Sequence, residues 1–126
     1  MTNNVPSRGE MERNLSQSIQ AFYRDRLSCR VGKISCHIFG NQVAIIVENS
    51  VTSLERVLNN SEDQNFVRDL RNRIDCIVKS ELITKIKQII GVEVIDLTID
   101  TTLEHNFTGV LVLLNEMPQT RKTKRN

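Results

Sequence analysis

The stretch Ile34-Ser35-Cys36-His37-Ile38-Phe39-Gly40-Asn41-Gln42-Val43-Ala44-Ile45-Ile46-Val47-Glu48 decides the fold class. From Lys33 to Ile38 polar and apolar residues alternate, the period of a strand with one buried face. Gly40-Asn41 supplies two residues that tolerate positive φ, as a two-residue hairpin turn requires. A turn there sets the register. Ile38 pairs with Val43, Cys36 with Ile45 and Ile34 with Val47, and these six make one apolar face. On the other face Lys33 falls opposite Glu48, a favourable cross-strand charge pair, and His37 opposite Ala44.

On the N-terminal side Met11, Leu15, Ile19 and Phe22 recur every three or four residues, which predicts an amphipathic helix from Glu10. Before it, residues 1–9 are polar with Pro6 and Gly9 and read as a disordered tail. On the C-terminal side Thr52-Ser53-Leu54-Glu55 fits a capping box and predicts a short helix to Leu58. Ser61-Glu62-Asp63-Gln64 fits a second box, opening a long helix to about Ile90. Its apolar stripe is Phe66 or Val67, Leu70, Ile74, Ile77 or Val78, Leu82, Ile86 and Ile89, and Gly91 is the stop. Val92 to Asp100 alternates again, with Ile95, Leu97 and Ile99 on one side and Asp96, Thr98 and Asp100 on the other. Thr101 to Asn106 reads as a loop and Thr108 to Leu114 as the last strand.

The element order is αββααββ. It predicts an α+β fold: two β-hairpins joined in a four-stranded antiparallel sheet, packed on one face by the long helix and the N-terminal helix. "LSCRVGKISCHIF" and "QIIGVEVIDLTID" sit in corresponding places of the two halves, a weak internal repeat. The boundaries are a tail over 1–9, one domain over 10–117 and a basic tail over 118–126.

At 126 residues and 39% hydrophobic content the chain has material for one core and is not globally disordered. Aromatics are only 4%, so that core is built of Ile, Leu and Val. Four cations between Arg121 and Asn126 turn a remainder of −2 into the chain's net +2. A case for a polyanion partner therefore rests on the tail alone. Three cysteines without a C-x-x-C pattern point to reduced thiols and a cytoplasmic protein rather than a disulfide framework. Residues 1–9 lack the apolar core of a signal peptide, and the longest apolar runs, Val43–Val47 and Val110–Leu114, are far short of a membrane span.

No residue set carries recognisable chemistry, so neither catalytic residues, a cofactor nor a metal site is expected. Cys36 and His37 are strand neighbours pointing to opposite faces, so they cannot chelate one ion together, and Cys29, Cys76 and His105 stand apart in sequence. Asp96 and Asp100 share a strand face and could do acid–base work, but a solvent-facing strand explains them as well. Arg68, Arg71 and Arg73 crowd one segment of the long helix as a possible anion or partner contact. Asp69 and Asp75 lie among them, which equally describes a solvated face with an Arg71–Asp75 pair. Ala44 and Ile46 on the sheet face, with Ile83 and Ile90 on a second stripe of the long helix, are the possible interface. Burying them predicts a homodimer or higher symmetric oligomer.

Four segments carry a family resemblance: "ISCHIFGNQVAIIVE"; "VTSLERVL", with Thr52, Glu55 and Leu58 in an L-T-x-x-E-x-x-L pattern; "FVRDLRNRI", with Val67 and Arg71 in L-V-x-x-x-R; and "IGVEVIDLTIDTTLE", with Gly91, Val92, Val94 and Asp100 in G-V-x-V…D. On these the chain resembles the MpsC-like domain family of bacteria, named for a sodium-translocating, membrane-potential-generating system, over about Asn14 to Leu114. It departs from the family at Cys29-Arg30-Val31-Gly32-Lys33, where the family often has G-[RK]-G-P, and it lacks the Gly before L-V. The resemblance implies a soluble cytoplasmic accessory protein associated with membrane components for sodium and inorganic carbon transport. The expected function is thus a non-enzymatic regulatory interaction domain, with a membrane-transport component or another protein as partner. The alternative is a nucleic-acid-binding module using the open sheet face and the basic tail, though Phe39 alone supplies an aromatic to the predicted strands.

Overall fold

The computed structural model describes residues 5–60 and 63–121. Seven elements follow in the expected order: α1 (Arg8–Arg26), β1 (Ile34–Phe39), β2 (Gln42–Glu48), α2 (Ser53–Asn59), α3 (Gln64–Ile90), β3 (Val94–Thr102) and β4 (Phe107–Leu114). The four strands form one antiparallel sheet in the order β1-β2-β4-β3. The hairpin register is the one set by Gly40-Asn41: Ile38 with Val43, Cys36 with Ile45, Ile34 with Val47. Gly40 takes φ 60, which glycine adopts without a Cβ clash.

α1 begins two residues earlier than the periodicity indicated, because Ser7 and Glu10 form a capping box. The Glu10 N–H donates to Ser7 Oγ at 3.1 Å and the Ser7 N–H to Glu10 Oε1 at 2.8 Å. The Thr52–Glu55 box forms as expected and opens α2. The second expected box rests on Ser61 and Glu62, which lie outside the described residues; Asp63 is the N-cap of α3 and accepts from the Phe66 N–H at 3.0 Å. Gly91, at φ 85, ends α3 in the left-handed conformation and returns its N–H to the Lys87 carbonyl at 3.0 Å. Arg121 comes back to α1, donating its N–H to the Pro6 carbonyl and pairing with Glu10 at 3.3 Å. Lys122, Lys124 and Arg125 of the basic tail lie outside the described residues.

α1 packs on β1 and α3 on β3, and the two helices meet each other, so both cover the same face of the sheet. Leu15, Ile19 and Tyr23 from α1, Val78, Leu82 and Ile86 from α3, and Val43, Ile45, Val110 and Val112 from the central strands fill the layer between. The other sheet face carries no helix among the described residues.

Three details depart from the sequence reading. The pairing jumps from Val94–Leu114 to Asp96–Leu113, leaving Ile95 as the extra residue of a β-bulge. Ile95 is therefore 59% exposed instead of sharing the core side with Leu97. The core stripe of α3 is Val67, Arg71, Asp75, Val78, Leu82, Ile86 and Ile90, so two charged residues stand inward where Leu70 and Ile74 were expected. Finally, β3 runs on to Thr102 and β4 starts at Phe107, which shortens the intervening turn. Asn106, at φ 55, turns that corner and accepts from the Val51 N–H through its side-chain oxygen at 2.9 Å.

Candidate functional site

Polar chemistry in the interior converges on Arg71. Its Nε and Nη2 donate to the two oxygens of Glu55, each at 2.6 Å, the two-pronged match of a guanidinium with a carboxylate. Nη1 donates to Asp75 Oδ1 at 2.9 Å and, more weakly, to Thr101 Oγ1 at 3.4 Å; Nη2 also reaches the Ser50 carbonyl at 3.2 Å. Every donor direction of the guanidinium is thus occupied, and Arg71 has none left for an external anion. Arg68 is exposed, and Arg73 pairs with Asp69 at 3.1 Å in solvent. The three arginines of the expected contact do not converge: their helix places Arg71 inside and the other two outside.

The network continues as a chain of hydroxyls. Thr101 Oγ1 donates to Asp75 Oδ1 at 3.0 Å, so Thr108 must donate to Thr101 (2.6 Å) and Ser50 to Thr108 (2.7 Å). Tyr23 lies fully buried beside this chain. Its hydroxyl has no partner in good hydrogen-bond geometry among the described residues, and burial pushes it up to about 12, with the Arg71 charge and the nearby Thr108 hydroxyl pulling the other way. Burial also raises the Asp75 carboxyl above its ordinary value, outweighing the bonds from Arg71 and Thr101. Two carboxylates against one guanidinium leave the cluster one negative charge in excess. It ties α2, α3, β3 and β4 together, and with every guanidinium donor used inside the protein it is a structural clasp.

The surface with unspent binding capacity is the uncovered sheet face. Strand register lays it out as a grid. One row reads Phe39, Gln42, Leu113, Asp96; the next His37, Ala44, Leu111, Thr98; the third Ser35, Ile46, Gly109, Asp100; and the last Lys33, Glu48, Phe107, Thr102. Leu111 is 63% exposed and Ile46 46%, with Phe39 and Leu113 similarly bare. A shallow depression of about 410 Å³ lies among Gln42, Asp96, Thr98, Leu111 and Leu113. Outward on β4 stand Phe107, Gly109, Leu111 and Leu113, and β2 adds Ala44 and Ile46 between the polar Gln42 and Glu48. At the edges, Lys33 stands just before β1, with Ser35, His37 and Phe39 along that strand, and Asp96 and Asp100 stand along β3.

Of the expected interface residues, Ala44 and Ile46 are on this face and Ile83 is 37% exposed on α3. Ile90 is not available: it is 4% exposed and part of the core. Cys76, Ile83 and Ile90 are spaced by seven, and a straight α-helix turns about 20° per heptad away from that repeat. The stripe thus starts outside at Cys76 and ends inside at Ile90.

Asp96 and Asp100 are exposed on β3 as expected. Each accepts from the following backbone N–H (Leu97 at 2.7 Å, Thr101 at 3.0 Å), and Asp96 has Lys79 at 3.9 Å. His105 is exposed in the β3–β4 turn, far in register from His37 at the β1 edge. Among the described residues no group of three His, Cys, Asp or Glu could hold a metal ion. Phe107, which the earlier start of β4 brings into the sheet, adds a second aromatic to the open face. Three rows of the grid, about 20 Å, separate it from Phe39, too far to stack neighbouring bases. Lys33 is the one Lys or Arg in this grid, and Glu48, Asp96 and Asp100 repel phosphates.

A family model described as "Na+-translocating membrane potential-generating system (MpsC)" matches residues 7–116. No curated protein and no solved structure gives a significant match to the chain. Among the described residues, no helix is long and apolar enough to cross a membrane.

Proposed function

The chain belongs to the MpsC family, and we propose that it serves that family's membrane system as a non-enzymatic accessory domain acting by protein contact through its bare sheet face. The observation that carries this reading is the contrast between the buried polar cluster and the bare sheet face. The buried cluster has used its hydrogen-bonding capacity internally. The sheet face has spent none of its apolar area: Phe39, Ile46, Leu111 and Leu113 form one patch rimmed by polar residues, the pattern of a protein-contact surface. The family description supplies the link to sodium transport across a membrane. The sheet contributes no ion pathway, so its role there is regulatory or architectural, on the cytoplasmic side, with inorganic carbon transport as an associated process.

Leu111→Lys tests the reading. Leu111 points away from the core, so the variant should fold. Tagged wild type and variant are incubated with detergent-solubilised membranes of the source cells, and the recovered proteins are identified by mass spectrometry. The wild type is expected to recover a multi-spanning transport protein, and the variant at least about tenfold less, the effect of ~1.4 kcal/mol. Equal recovery by the two proteins contradicts the reading.

A further inference from the structure

We propose that, in the protein free of its membrane partner, the bare sheet face is occupied by a second copy of this chain, stacked about a two-fold axis that runs parallel to the strands between β2 and β4. This rests on the sheet face being a contact surface. Such an axis lays β2 of one copy over β4 of its partner and β1 over β3. In the two middle rows the residues outward on β2 and β4 are complementary in size. Ala44 faces the partner subunit's Leu111, small against large. Ile46 faces the partner subunit's Gly109, large against none. Gly109 leaves a dip bordered by the Phe107 ring, whose Cε2 lies 3.9 Å from where a Cβ would stand. Alternating large and small residues across facing layers is how packed interiors interdigitate.

Charge selects the same axis. The cation Lys33 stands at the start of the β1 edge, and Asp96 and Asp100 line the β3 edge. The strand-parallel axis brings the β1 edge over the partner's acidic β3 edge. The perpendicular in-plane axis would place acid on acid, which costs energy. Four strands about 4.8 Å apart and four rows of outward residues give a face of roughly 20 by 25 Å. Two such faces bury on the order of 1,000 Å², the lower bound of a specific interface. Aligned sheet-on-sheet stacking is an established mode of core formation.

The test is the solution mass, by light scattering from low to high micromolar concentration, of four full-length proteins: wild type, Gly109→Val, Lys33→Asp, and Lys33→Asp with Asp100→Lys. Gly109→Val fills the dip at a site where an added Cβ makes only ordinary contact, so the monomer keeps its melting temperature. The wild type is expected at about twice 14.4 kDa and Gly109→Val at 14.4 kDa. Lys33→Asp is expected to dissociate more readily on dilution, and the charge swap to restore the dimer. A monomeric wild type overturns the inference. So does a dimer that neither Gly109→Val nor Lys33→Asp weakens, or a swap that fails to rescue. Those failures leave the contact-surface reading standing if Leu111→Lys still loses the membrane partner; if it does not, both fall.

Discussion

Arg71→Met is expected to destabilise the domain by about 3–5 kcal/mol, the cost of removing one partner from a buried ion pair. Methionine fills much of the space but abandons Glu55, fully buried, with two oxygens that had accepted at 2.6 Å, and Asp75 beside it. A domain of this size is held by about 5–15 kcal/mol, so the loss takes a large part of the whole. Asp75→Asn should cost far less, about 1 kcal/mol, because the amide oxygen can still accept from Arg71 and Thr101 and the surplus buried charge is gone. The sign of the pH dependence follows from the raised Asp75 value. A carboxyl that holds its proton more tightly when folded favours the fold below the ordinary 3.8, and that contribution is lost as pH rises through the folded value. Asp75→Asn should remove this component from the stability profile above pH 3.8. Urea unfolding across pH measures both effects. Equal losses for Arg71→Met and Asp75→Asn would mean that the Asp75 ion pair outweighs its desolvation.

Ile90→Ala is expected to cost about 2–5 kcal/mol, the range for truncating a buried isoleucine, whereas Ile83→Ala should stay within about 1 kcal/mol in the monomer. Both residues stand on one seven-residue spacing of α3, and the helix's rotation alone separates them: Ile90 is in the core and Ile83 is at its margin. The comparison is made by denaturant unfolding with a shared slope. Similar losses at the two positions would mean that α3 is rotated differently from the arrangement described.

What could be read from the sequence is what local chemistry fixes. Gly40-Asn41 set the hairpin register because a two-residue turn leaves no freedom in the pairing. Thr52–Glu55 and Gly91 set helix ends because each acts within one turn. The Ser7–Glu10 box had the same signature but stood in a Pro- and Gly-containing segment read as a tail. The bulge at Ile95 left no mark in a strand whose alternation looks unbroken, because it answers to the pairing partner β4. The central β2–β4 pairing is likewise a long-range contact that periodicity does not encode. Arg71 and Asp75 were misplaced because charged residues are rarely buried unless paired. Their signal was present in the spacing Val67, Arg71, Asp75, Val78, Leu82, which is one continuous helical stripe. Of the bare sheet face, Ala44 and Ile46 were legible from hairpin parity, but the dip at Gly109 beside Ile46 needed the strand order.

The central claim is that the bare sheet face is covered in the working protein. Thiol labelling of Ile46→Cys in a Cys76→Ser background measures this directly. The two remaining native thiols are buried: burial raises the Cys29 thiol and pushes Cys36 up to about 11, so neither competes for the reagent. The account predicts slow labelling of position 46 at high protein concentration and fast labelling once dilution separates the copies. Labelling that is fast at every concentration, at the rate of the exposed Cys76 in the native protein, would show the face bare and contradict the account.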